Sequence, residues 1–268
     1  MTKVFYTSTF RRFLLRRDLF RRIAGRLRLY QRIITKEPVE DIQQLLKGET
    51  VAVIVDAGAN IGFMTNEFRR RFPNATVHAF EPNPEVYQVL RDAHASDERV
   101  IANHGAIGAR QGTMTFHVNS NTGTSSFLEP TSYHRSHMAR REVRTLDVTV
   151  FALGQYLQER KIDHVDILKL DIEGYEVEAM RGCESFLRDG KIDVVMTEVN
   201  IVRSYEGQPL LHEVTRFMEG YDYSLYNLYG FTALETEIGQ GIVGDAVFLS
   251  SPLRKRLEAR FGKQACGW

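Results

Sequence analysis

The sequence predicts an α/β fold, a mostly parallel sheet with helices on both faces, from three observations. An apolar run at 51–55 leads directly into the glycine-bearing stretch DAGANIG at 56–62 and then into a helical pattern. Strand-like and helix-like segments alternate along most of the chain, an arrangement whose ligands gather at the carboxyl ends of the strands. Residues 165–170 and 192–199 read as apolar runs, which suits central parallel strands covered on both faces.

Taken in order, residues 41–47 look helical and 51–55 form the first core strand, followed by a helix at 63–72. A second strand at 76–80 ends in Glu81, and Pro84 opens a second helix to residue 95. Residues 100–107 make a third strand. Residues 112–119 alternate in strand fashion and suit an added hairpin. Residues 119–141 are rich in Ser, Thr and Asn, the composition of a long lid or substrate loop. Strands at 143–150, 165–170 and 192–199 are separated by helices at 150–159 and 175–187, and 223–228 with 246–250 suit a closing antiparallel pair.

Composition sets outer bounds. The 268 residues are 43% hydrophobic and 26% charged, ordinary for a globular protein with a sizeable core. Two cysteines, Cys183 and Cys266, make neither a disulfide framework nor a zinc spacing. No apolar run approaches the ~20 residues of a membrane span and no signal peptide is read, so a cytoplasmic location is expected. The net charge of +1 hides an asymmetry. Residues 1–36 hold eleven Lys/Arg and one acid, Asp18, a local charge of +10, and the remaining 24 bases and 33 acids leave −9. Phe13, Phe20, Leu27 and Ile34 recur every seven residues in this segment and share one helical face. Packed helices on an acidic domain explain the pattern; an arm for an anionic membrane surface through residues 10–34 explains it too, as does a dimer contact. The expected domains are a basic helical arm at 1–48, the α/β domain at 49–252 and a basic tail at 253–268.

The glycine turn points to a nucleoside-bearing cofactor. Gly58 and Gly62 let a ligand lie against bare backbone, and Glu81 at the second strand end can accept hydrogen bonds from ribose hydroxyls. Asp56 and Asn60 depart from the G-x-G-x-x-G of a pyrophosphate site. A carboxylate at that turn repels a pyrophosphate and suits a cationic ligand, and S-adenosylmethionine, with an ammonium, a sulfonium and no phosphate, fits. A structural turn that binds nothing and a nicotinamide or flavin dehydrogenase are the alternatives.

VDAGANIG at 55–62, FEPNP at 80–84, LKLDIEGYE at 168–176 and MTEV at 196–199 together resemble the FkbM-like family of S-adenosylmethionine-dependent methyltransferases, over roughly residues 50 to 250. The resemblance implies a seven-strand, Rossmann-like class I methyltransferase sheet and O-methylation of a sugar, glycolipid or other hydroxylated metabolite. It extends the cofactor-binding set of Asp56, Gly58, Gly62 and Glu81 to Asn60, Phe63, Pro82, Asn83, Ala106, Ile107 and Asp171.

Methyl transfer from a sulfonium asks mainly for positioning and for a base to take the hydroxyl proton. Asp171, Glu173 and Glu198 follow or end neighbouring strands, so they are the candidate catalytic carboxylates, with Asp171 near the cofactor or the acceptor and the two glutamates toward the acceptor hydroxyl. Glu173 as a simple helix-start carboxylate is the structural alternative. A divalent ion suits the same trio but is not predicted. Asn121, Ser125, His134 and His137 in the polar loop are candidate substrate-binding residues, solvated loop positions being the plainer account. Two other functions stand beside the O-methyltransferase. One is a nucleic-acid methyltransferase, against which Asp171-Ile172-Glu173-Gly174 stands where a flipped base would require N/D-P-P-Y/F. The other is a non-catalytic cofactor-binding or membrane-associated scaffold.

Overall fold

The computed structural model describes residues 37–137, 142–233 and 241–263. The chain divides into Met1–Glu37 and Pro38–Trp268, and the fold is that of the second unit. The arginine-rich stretch with Phe13, Phe20, Leu27 and Ile34 lies outside the described residues.

Seven strands form the main sheet in the order β3-β2-β1-β7-β8-β10-β9. They are β1 (Val53–Ala57), β2 (Thr76–Glu81), β3 (Val100–His104), β7 (Val165–Leu170), β8 (Ile192–Asn200), β9 (Tyr223–Ala233) and β10 (Gly241–Ser250). The first five run parallel, while β10 pairs antiparallel with β8 and β9. One strand, β10, therefore runs against the other six, next to the β9 edge. A second sheet of three strands, β4 (Ala106–Gly108), β6 (Glu142–Ala152) and β5 (Gly112–Asn119), stands beside it.

The helices cover both faces as the apolar runs require. On one face α1 (Pro38–Leu45), α2 (Phe63–Arg71) and α9 (Ser251–Phe261) bury Val39, Ile42, Phe68, Leu253 and Leu257 against Ile54, Val77, Ile167 and Val194. On the other, α5 (Leu153–Glu159), α6 (Glu176–Arg181), α7 (Glu184–Arg188) and α8 (Leu211–Glu219) bury Leu153, Met180, Leu187 and Val214 against Val55, Leu168, Val195 and Phe248. Two more helices, α3 (Pro84–Ala93) and α4 (Ser132–His137), complete the described set.

Four expectations need adjusting. The α/β domain begins before residue 49 and extends past 252. Ile42 is fully buried, the Tyr229 hydroxyl donates to Asp41 at 2.9 Å, and Leu253 and Leu257 enter the core, each burial contributing about 1.5–3 kcal/mol. The third strand does not run through residue 107. It breaks at Gly105 (φ 156), where a Cβ would lie 2.7 Å from the Thr149 carbonyl and the Phe151 ring, and the chain crosses to the second sheet. The helix expected at 175–187 is two helices, interrupted where Gly182 packs onto the Gly108 carbonyl. The segment 119–141 is not wholly irregular, since it holds a 3-10 turn at Thr122–Thr124 and α4. Helix α8 was not read from the sequence, although Leu211, Val214 and Met218 fall at helical spacing.

Candidate active site

The site lies where β1, β2 and β7 end. Beyond Ala57, the amides of Gly58 and Ala59 donate to the Phe80 carbonyl at 3.1 and 2.9 Å, which bends the chain across the end of β2. Gly58 has φ 73, and a Cβ there would stand 1.9 Å from the Asp171 carbonyl oxygen. Only glycine allows that approach. Glu81 then accepts from the Asn60 amide at 3.0 Å and from the Asn83 amide at 2.8 Å, one bond to each carboxylate oxygen. Burial pushes its carboxyl up to about 7 against the pull of these two donors. Each oxygen keeps a lone pair for a further donor.

These elements wall a cavity of about 180 Å³. Gly58, Asn60, Glu81, Pro82, Ala106, Ile107 and Asp171 of the expected cofactor set line it, as do Glu173 and Ser125. Phe116, Phe127, Ile172, Thr122 and Gly123 line it too, and none of these was anticipated. The other expected cofactor residues sit elsewhere. Gly62 caps the start of α2, Phe63 is 72% exposed, and Asn83 caps α3 by accepting from the Glu85 amide at 3.1 Å.

Asp56 differs most from its expected role. It is wholly buried, accepts from the Thr65 hydroxyl at 2.7 Å and stands 3.1 Å from the Lys169 ammonium, so its charge is met inside the protein. The reason is register: Asp56 of β1 and Lys169 of β7 are cross-strand partners. Lys169 also donates to the carbonyls of Gly58 at 2.9 Å and Ala57 at 3.3 Å, and lies 3.6 Å from Asp171. Burial opposes its charge, but Asp56 and Asp171 outweigh that and hold its pKa above the usual lysine value. A lone lysine inside a buried apolar strand was a signal present in the sequence.

Asp171, Glu173 and Glu198 converge, one oxygen from each lying within 4.8 Å of the others. The trio can accept donors or hold a divalent cation. Burial first, then the charges of Glu173, Asp171, Glu176 and Asp245, raises the Glu198 carboxyl well above the carboxylate range. Glu173 precedes α6 rather than beginning it, and it adopts φ 55, a left-handed backbone that costs a non-glycine residue about 1–3 kcal/mol. It is held there: Ser126 donates to its carbonyl at 2.7 Å and the Tyr205 hydroxyl lies 3.0 Å from its carboxylate. Glu176 supports the same turn by accepting from the Ile172 and Gly174 amides, both at 3.1 Å.

Of the expected substrate residues, Ser125 reaches the cavity wall. Asn121 is exposed and accepts from the Gly123 amide at 3.2 Å, shaping the Thr122–Thr124 turn. His134 and His137 belong to α4, and their side chains lie outside the description. Tyr205, missed in the sequence, is buried beside Glu173.

Residues 56–225 match the methyltransferase FkbM domain. The chain belongs to the FkbM methyltransferase family. Among relatives of the family, methyltransferase sdnD of Sordaria araneosa is 29% identical over 49% of this chain and 60% of its own length. The 2-O-methyltransferase NoeI of Sinorhizobium fredii is 23% identical over 75% of this chain and 80% of its own. The hexuronic acid methyltransferase AglP of Haloferax volcanii is 23% identical over 60% and 62%. The chain thus spans less than two thirds of the length of two of these three relatives. In the FkbM match lie both the glycine turn and the three carboxylates.

Proposed function

We propose that the protein is an S-adenosylmethionine-dependent O-methyltransferase acting on a hydroxyl of a sugar, glycolipid or similar small metabolite. The observation that carries this reading is the meeting of Asp171, Glu173 and Glu198, the first two of which line the glycine-turn cavity. Chemically, the residues fit the cofactor. Gly58 leaves a bare backbone wall, Glu81 has lone pairs left for ribose hydroxyls, and Asp171 offers a carboxylate to an ammonium. Ala106 and Ile107 give an apolar edge to a purine. No group on this surface favours a pyrophosphate.

When bound, S-adenosylmethionine supplies an electrophilic methyl carbon whose leaving group is a neutral thioether. The chain has to hold the acceptor oxygen in line with that carbon and to receive the hydroxyl proton. Glu173 and Glu198 are the candidates for the proton; burial and the neighbouring carboxylates raise the basicity of Glu198, which suits the task. Two relatives carry names that include a 2-O-methyltransferase and a hexuronic acid methyltransferase, which supports a hydroxylated, sugar-like acceptor. No helix among the described residues is long and apolar enough to cross a membrane; we place the enzyme in the cytoplasm, with residues 10–34 as a contact to an anionic membrane surface.

Calorimetric titration with S-adenosylhomocysteine, with NADH as control, tests the cofactor. Micromolar binding of the first alone is expected, followed by methyl uptake into members of a hydroxylated acceptor panel. Binding of NADH instead would overturn the reading.

A further inference from the structure

Lys169 has no part in the transfer outlined above, yet among the described residues it is a buried cation set directly behind the cavity wall. Its ammonium stands within 3.6 Å of four oxygens: Asp56 Oδ1, the Ala57 and Gly58 carbonyls and Asp171 Oδ2. Two of these, on Gly58 and Asp171, belong to residues that face the cofactor cavity.

An ion pair that served stability alone would be a weak device. Desolvating two charges costs several kcal/mol, and well-packed apolar replacements commonly do as well or better. Geometry offers the better account. The Gly58 turn and the Asp171 backbone touch, since a Cβ on Gly58 would lie 1.9 Å from the Asp171 carbonyl. The Gly58 carbonyl and the Asp171 carboxylate are both electron-rich, and a cation that donates to the first and pairs with the second at 3.6 Å offsets their repulsion. Asp56, the cross-strand partner of Lys169, balances that cation from below and is itself fixed by Thr65.

We propose that Lys169 is the positioning residue of the cofactor cavity, fixing the Gly58 peptide and the Asp171 carboxylate in the relation that the cofactor needs, with Asp56 as its buried counter-charge. The inference rests on the S-adenosylmethionine reading. It also gives Asp56 an effect on the cofactor that passes through Lys169 rather than through contact.

One single and two double variants separate position from charge. Lys169→Met alone leaves Asp56 buried without its cation, and it is expected to lose stability and cofactor binding together. Asp56→Asn with Lys169→Met removes both charges and keeps the net charge, so stability recovers. Its affinity for S-adenosylhomocysteine stays about ten-fold or more below wild type, the loss of roughly one charge-assisted hydrogen bond. Asp56→Asn with Lys169→Gln is equally neutral but returns a donor to the carbonyls, and it is expected to bind more tightly than the methionine pair. Thermal unfolding and calorimetry with S-adenosylhomocysteine read all three. A methionine pair that binds like wild type would overturn the proposal. A wild-type protein that does not bind S-adenosylhomocysteine would instead overturn the cofactor reading beneath it.

Discussion

The hydroxyl of Tyr205 lies 3.0 Å from a carboxylate oxygen of Glu173 and 2.6 Å from the Thr124 carbonyl. A carbonyl only accepts and a phenol has one proton to give. Both bonds are therefore complete when Glu173 itself carries a proton, the state a base reaches after deprotonating an acceptor. Tyr205→Phe should slow methyl transfer by about ten-fold, the worth of roughly one hydrogen bond to a charged or proton-sharing group. Its affinity for S-adenosylhomocysteine should not change. Parallel calorimetry and steady-state kinetics check the split, and an equal loss in both would remove Tyr205 from the proton-accepting side.

Glu173→Gln and Glu198→Gln address the base directly. Removing it should cost on the order of 10²–10⁴ in rate while cofactor affinity holds. Burial and then the Glu173 and Asp171 charges raise the Glu198 carboxyl, and a base works only when deprotonated. The rate should accordingly rise with pH on a limb above the usual carboxylate range. Glu173→Gln deletes one repelling charge, so any residual limb should move to lower pH; a limb that stays in place would assign the titration to another group.

Gly58→Ala places a methyl group 1.9 Å from the Asp171 carbonyl in a backbone of φ 73. Alanine at such an angle costs about 1 kcal/mol or more before any clash. The variant should lose measurable binding of S-adenosylhomocysteine and melt at lower temperature. Wild-type binding in Gly58→Ala would mean that the turn and the Asp171 loop separate freely.

Stability should depend on pH through buried groups of opposite sense, Glu176 (with Glu81 in the same sense) on one side and His78 on the other. Burial raises Glu176 from 4.5 to about 7, so its stabilising protonated state is fully present below 4.5 and is lost as pH climbs through about 7. His78 is pushed down from 6.5 to about 4 by burial and then by Arg160, while its ring meets the Tyr156 hydroxyl at 2.9 Å. Its contribution is present above 6.5 and lost as pH falls through about 4. Glu176→Gln keeps an oxygen for the Ile172 and Gly174 amides, so it should flatten the decline between pH 4.5 and about 7. Melting temperatures across that interval decide it, and an unchanged slope would point to another carboxylate.

The sequence carried the sheet and the cavity floor well, because both rest on local signals. Alternating apolar runs marked β1, β2, β7 and β8, and the glycine turn with Glu81 marked the wall they form. What escaped it is non-local. Asp56 reads as a ligand of a cation until β1 and β7 are set in register, when Lys169 turns out to be that cation. Tyr205 lies 32 residues from Glu173, in a segment without periodic pattern, and nothing in its neighbourhood announces the contact. Phe116 and Phe127 reach the cavity only because Gly105 sends the chain into a second sheet, and a break of one residue in an apolar strand leaves little trace in hydrophobic pattern. The outer helices α1 and α9 fall outside the expected domain because α1 follows the basic stretch at 1–36 and α9 is itself rich in Arg and Lys, which hides the buried stripe of Ile42, Leu253 and Leu257.

The polar segment around the cavity is also stitched to the stretch after β8. The Glu206 amide donates to the Glu129 carbonyl at 2.8 Å, the Thr131 amide donates to the Ser204 carbonyl at 2.9 Å, and Pro130 bridges Tyr205. Two strips of chain far apart in sequence are thus joined along one backbone seam. Because both bonds belong to that seam, exchange of the amide hydrogens of Thr131 and Glu206 should follow one shared opening free energy. Residues outside the cavity lining would then govern how firmly the polar segment beside it is held.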